Sequence, residues 1–149
     1  MELKIDLGRQ GNFILAILLT YFLFFGYICN SPGISGKHIE ERLVFIYQVL
    51  FRPKSIISLI ILIIIVFIMV YREKFIEYGI RNSFWLSFII IVMSFMWYWI
   101  IYGFDITIIG KFFTSYEGYL TISSLLSINL LTAMLAGLAR KKSDELKKY

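Results

Sequence analysis

Charge divides this chain into four long uncharged runs, and that spacing restricts it to a set of apolar helices. Between Arg9 and Lys37 no side chain is charged, and Phe13 to Ile28 is almost wholly apolar. Seventeen uncharged residues, Ser55 to Tyr71, separate Lys54 from Arg72. Twenty-three more run from Asn82 to Phe104, and twenty-two from Gly118 to Ala139. A helix crossing a bilayer needs about 20 such residues, with ~17 as the lower limit. The second run sits at that limit, and Lys54 and Arg72 can carry their charges outward to lengthen it. The expected fold class is therefore all-α: a polytopic membrane protein, a four-transmembrane-helix bundle forming one domain over residues 1–149. Spans are expected at about 12–30, 54–71, 83–103 and 118–139. Loops 31–53, 72–82 and 104–117 join them, and 140–149 is a tail.

Composition agrees. The chain is 59% hydrophobic and 17% charged, against about 45–50% and 25% in soluble domains. A chain of 149 residues cannot hide that much apolar surface from water. The first run is expected to be a retained span rather than a cleaved signal peptide. Tyr27-Ile28-Cys29-Asn30 lacks the small residues of a cleavage site. Bulky Ile28 also argues against a lipoprotein site at Cys29, which is the single cysteine and excludes an intrachain disulfide.

Basic residues set the expected orientation. Lys4, Arg9, Arg72, Lys74, Arg81, Arg140, Lys141, Lys142, Lys147 and Lys148 fall on one side, and Lys37, Arg42, Arg52, Lys54 and Lys111 on the other. The richer side is normally cytoplasmic, which predicts both termini inside and loops 31–53 and 104–117 outside. The net charge of +5 then faces anionic lipid, not nucleic acid. Trp97, Tyr98, Trp99 and Tyr102 cluster where the third span leaves the bilayer, and Trp85 marks its inner end, as interfacial anchors do. In the first outer loop, the turn-rich Asn30 to Gly36 precedes Lys37-His38-Ile39-Glu40-Glu41-Arg42 and an apolar stretch to Phe51. That pattern predicts a short interfacial helix, either plugging the bundle mouth or binding a partner, with Pro53 opening the second span.

Apart from Lys54 at the edge of the second, no span holds an Asp, Glu, Lys, Arg or His, the groups that carriers and pumps place at membrane depth. His38 and Cys29 stand alone, so no metal or cofactor site is expected. No nucleophile has a base at a recognisable spacing, so no enzyme is expected either. The polar residues that enter the fourth span look like packing devices. Ser123, Ser127, Ala133 and Gly137 share about a third of the helix circumference, with Asn129 near that face. These small-xxx-small spacings allow close helix contact, within this bundle or with a helix of another protein.

In the third loop, Phe104-Asp105-Ile106-Thr107 and then Gly110-Lys111 follow an aromatic-rich span and precede a Ser/Thr-bearing one with a basic tail. This resembles the immunity proteins that protect bacteria against pore-forming colicins of the colicin A type. Val44-Phe45-Ile46-Tyr47 and Tyr71-Arg72-Glu73-Lys74 also sit where similar residues occur in that family. The resemblance covers roughly residues 44–140, as order and spacing more than identity. A shorter N-terminus and first outer loop depart from it and leave the matching toxin open. It implies a bacterial inner-membrane protein whose partner is the C-terminal pore-forming domain of a bacteriocin, met in the bilayer before the channel opens. Candidate toxin-binding residues are then the outer Lys37, Glu40, Glu41, Arg42, Asp105, Thr107, Lys111 and Glu117. Ser123, Ser127, Asn129, Ala133 and Gly137 of the fourth span complete the set. Two other classes stay open: a holin-like pore former, and an accessory subunit of a larger membrane complex. Sequence does not fix whether copies of the chain associate.

Overall fold

The computed structural model describes residues 7–26 and 56–147. The expected interfacial helix and the outer candidates Lys37, Glu40, Glu41 and Arg42 lie outside the described residues. The described chain is helical throughout, with no strand. Helix α1 (Leu7–Leu19) continues as a π-helical stretch, Thr20–Phe25. Then come α2 (Ile56–Arg72), α3 (Ile76–Tyr102), a short α4 (Thr107–Thr114) and α5 (Tyr116–Leu146). By length and composition α3 and α5 are long and apolar enough to cross a membrane, while Gln10–Phe25 and Ile56–Arg72 are shorter apolar helices.

Contacts between helix ends set the topology. Asn12 Nδ2 donates to the Arg72 carbonyl at 3.4 Å, so the start of α1 meets the end of α2. The Tyr71 hydroxyl reaches Ser143 Oγ at 3.4 Å, bringing the end of α5 to the same place. The start of α3 joins them, because a Cβ on Gly137 would lie 2.8 Å from Ile76 Cγ2. At the opposite end the rings of Tyr21 and Phe25 lie 5.3 and 6.5 Å from that of Trp97. Neighbours in sequence therefore run in opposite directions, and α1 and α5 bring the two ends of the described chain together.

Three boundaries differ from expectation, each for a local reason. Helix α3 begins at Ile76 rather than near 83, because the turn closes tightly at residues 73–75. There the Glu73 amide donates to the Val70 carbonyl at 3.1 Å, and Gly79 lets α3 lie against Val70. Helix α5 runs on through the basic segment to Leu146, since Arg, Lys and Glu are good helix formers. Arg140 and Asp144, one turn apart at 3.6 Å, support that extension. Finally, loop 104–117 contains α4, whose Ile108 and Phe112 are buried.

The interior of the bundle is a mixed seam. Phe24, Phe25, Leu62, Val66, Leu86, Ile90 and Leu125 are fully buried. Among them lie Thr20, Ser83, Ser87, Ser94, Thr121 and Asn129, also closed off. The π-helical stretch turns the adjacent Phe24 and Phe25 inward together, and Thr20 Oγ1 caps the Ala16 carbonyl at 2.7 Å. The outside is as apolar as the inside: Phe22, Ile56, Ile64, Trp85, Val92, Ile100, Leu131 and Leu138 are each at least half exposed.

Candidate functional site

The third-loop pattern folds into one compact unit. Gly103 ends α3 with φ of +93°, a left-handed conformation that a side chain disfavours, and its amide donates to the Trp99 carbonyl at 3.0 Å. The chain then doubles back, so that Trp99 Nε1 donates to the Asp105 carbonyl at 2.9 Å and its ring packs 4.8 Å from Phe104. Asp105 Oδ1 accepts from both the Thr107 hydroxyl, at 2.7 Å, and the Thr107 amide, at 2.9 Å. That carboxylate therefore satisfies an otherwise orphaned first-turn N–H and starts α4. The same two hydrogen bonds hold the Asp105 carboxyl below its ordinary range, the Thr107 side chain contributing most, with Lys111 adding a smaller pull.

Helix α4 is pinned by one face and open on the other. Phe112 meets Phe95 edge-on at 5.4 Å, while Lys111, Phe113 and Thr114 are exposed. At the next junction Ser115 N-caps α5: its Oγ accepts from the Gly118 amide at 3.0 Å and donates to the Phe112 carbonyl at 3.0 Å. Glu117 lies in the first turn of α5, the favourable end of the helix dipole for an anion. Asp105, Thr107, Lys111 and Glu117 thus share one end of the bundle, framed by exposed Phe104, Ile106, Tyr116 and Tyr119.

The small-residue face of the fourth apolar run divides. Asn129, Ala133 and Gly137 are buried inside the bundle, whereas Ser123 and Ser127 are exposed. Asn129 Nδ2 donates to Ser87 Oγ at 2.8 Å, and Ser87 in turn donates to the Ser83 carbonyl at 3.1 Å. Asn129 and Gly137 therefore already serve contact between α3 and α5, and Ala133 is closed inside the bundle, leaving the two serines on the outward arc.

Several contributors were not singled out from sequence. The serines of α3, Ser83, Ser87 and Ser94, recur at spacings of four and seven, which was a readable signal for one buried face. Ser115 before an acidic first turn was a readable helix start. The role of Trp99 had no sequence signature beyond interfacial placement. Trp97 is drawn inward by α1, and its indole nitrogen is buried with no hydrogen-bond partner among the described residues. No group of His, Cys, Asp and Glu suited to a metal ion occurs among the described residues. Compared with known protein families, curated proteins and solved structures, the chain matches none.

Proposed function

We propose that this chain is a four-span protein of a bacterial inner membrane that protects its host from a pore-forming bacteriocin by meeting the toxin's channel domain in the bilayer. The observation that carries the reading is the third-loop pattern, Phe104-Asp105-Ile106-Thr107 with Gly110-Lys111, resembling that of colicin A-type immunity proteins. Its folding into a braced turn and a half-exposed helix gives it the character of a presented surface.

The membrane part of the reading draws on two further facts. Exposed apolar side chains ring the bundle, an arrangement suited to lipid tails. The described charged residues after α1 sit at its two ends: Arg72, Lys74, Arg81, Arg140, Lys141, Lys142 and Lys147 with Glu73, Glu77, Asp144 and Glu145 at one, Asp105, Lys111 and Glu117 at the other. With the basic end cytoplasmic, the third-loop unit faces the side from which a toxin arrives. Lys54 and Arg72 let the second apolar run span despite its length. Outward charges discriminate among partners by penalising mismatched ones, and exposed Ser123 and Ser127 offer a close-approach patch to a helix in the membrane.

The test is survival. Cells expressing the chain should resist one toxin in a panel of pore-forming colicins that kills control cells. Equal killing by every member sinks the proposal. Growth arrest on expression alone would point instead to a holin-like pore former, and a stoichiometric co-purifying partner without protection to an accessory subunit.

A further inference from the structure

The end of the bundle opposite the third loop holds a guanidinium that the described residues satisfy only in part. Arg140 lies on the inward face of α5 between Gly137, which abuts Ile76, and Ser143, which meets Tyr71. It therefore occupies the mouth where α2 turns into α3. Its Nε is 3.6 Å from Asp144 Oδ2, a single long contact to a carboxylate that is 59% exposed. Its Nη1 is buried and has no acceptor among the described residues. A guanidinium presents planar, paired donors suited to carboxylate or phosphate, and that of Arg140, 24% exposed, is reachable from outside while its buried Nη1 is short of an acceptor.

The surroundings favour an anion. Arg72 and Lys74, both exposed, lie at the turn between α2 and α3, and Lys141 follows Arg140 in α5. Four carboxylates share that end with them: Glu73, Glu77, Asp144 and Glu145. Glu73 is buried and accepts from Asn82 Nδ2 at 3.4 Å, while Asp144 sits at the rim. Beside the mouth, Phe75 and Ile76 are exposed apolar neighbours. Basic side chains gathered at the ends of apolar helices, next to a hydrophobic surface, are the combination that holds an anionic lipid headgroup.

We propose that this mouth binds the phosphodiester of an anionic phospholipid, with Arg140 as the central donor and Lys74 and Arg72 closing the field. The inference rests on the membrane reading above and is independent of any toxin.

The experiment uses the full chain in nanodiscs of phosphatidylcholine alone or mixed with phosphatidylglycerol, followed by thermal unfolding and by native mass spectrometry. Phosphatidylglycerol should raise the melting temperature and remain bound to the chain. Arg140→Gln should lower its apparent affinity roughly fivefold, the effect of about one cationic contact at a lipid surface. Lys74→Gln, an exposed site that leaves packing intact, should weaken it in the same direction, and Lys147→Gln on the tail should not. Equal melting in both lipids, or an undiminished response in both the Arg140 and Lys74 variants, overturns the proposal. Stabilisation by inorganic phosphate to the same extent would assign the site to a soluble anion and overturn it as a lipid site. Failure of the chain to float with membranes sinks the membrane reading itself, whereas flotation without lipid selectivity sinks this site alone.

Discussion

At the scale of single residues, the junction before α5 leaves the least room. A Cβ on Gly118 would run into the backbone carbonyl of Phe112, and backbone cannot swing aside as a side chain can. Gly118→Ala should therefore destabilise the bundle by roughly 2–3 kcal/mol, as overpacking does, read as a lower midpoint in detergent melts. Unchanged melting would mean that the junction is looser than described. Asp105 makes a pH prediction of definite sign. Its carboxyl is held below the ordinary value of 3.8 by Thr107, so the folded state gains from the ionised form. That gain is present above the ordinary range and disappears as pH falls through the depressed value. Melts from neutral pH down into that acidic window should lose stability in the wild type. Asp105→Ala should lack that component, and parallel curves for the two proteins would count against a stabilising role for the Asp105–Thr107 hydrogen bonds. Sequence showed that Asp105 and Thr107 belong together, two residues apart. It did not show that their first partner is each other, or that Trp99 braces the loop from the preceding helix.

At the scale of elements, equal spacings in α5 had unequal fates. Ser123–Ser127 and Ala133–Gly137 are both small pairs four residues apart, yet the first is exposed and the second buried. In a soluble helix the polar face declares the outside. Here the outward arc carries Leu131, Met134, Leu135 and Leu138, so apolarity does not separate outside from inside, and periodicity alone cannot choose the arc. Helix existence was legible because charge-free runs are long. Helix ends were less so, because α5 continues into good helix formers and α3 begins at a turn set by packing against Val70. The α3–α5 contact itself yields two expectations. Gly137→Ala should cost about 1 kcal/mol, because a Cβ would sit 2.8 Å from Ile76 Cγ2. Adding Ile76→Ala should recover most of that loss, and absence of rescue would place the strain elsewhere. A double-mutant cycle between Ser87→Ala and Asn129→Ala should give a coupling of about 0.6 kcal/mol and not above ~1.7, the range for interhelical hydrogen bonds in membranes. A coupling of zero would show that the 2.8 Å contact adds nothing to stability.

At the scale of the whole molecule, the number of crossings makes its own prediction: α3 and α5 are long enough to span, and the proposed reading adds the two shorter apolar helices. Two arrangements put both chain ends on the basic side. With four spans, residues 31–53 face outward together with loop 104–117. With only α3 and α5 crossing, residues 31–53 stay on the basic side with the termini. End-fusion reporters cannot separate these, since both arrangements place the C-terminus inside. A cysteine probe can, because Cys29 is the single native cysteine and its replacement leaves a blank background. In Cys29→Ser chains carrying Ser35→Cys, a membrane-impermeant maleimide added to intact spheroplasts should label the new thiol. A matching Thr114→Cys chain, on exposed α4, should label in either arrangement and serves as the positive control. Ser143→Cys, near the basic end of α5, should label only after lysis. Labelling at position 114 but not at 35 before lysis, with position 35 reacting afterwards, would reduce the crossings to two. Helix α1 would then have to leave its contact with Trp97, and the first-loop charges Lys37, Glu40, Glu41 and Arg42 would lose any role in meeting a toxin from outside. Labelling at both 35 and 114 would keep those charges and the third-loop unit on one surface, the arrangement that recognition by outward charge requires.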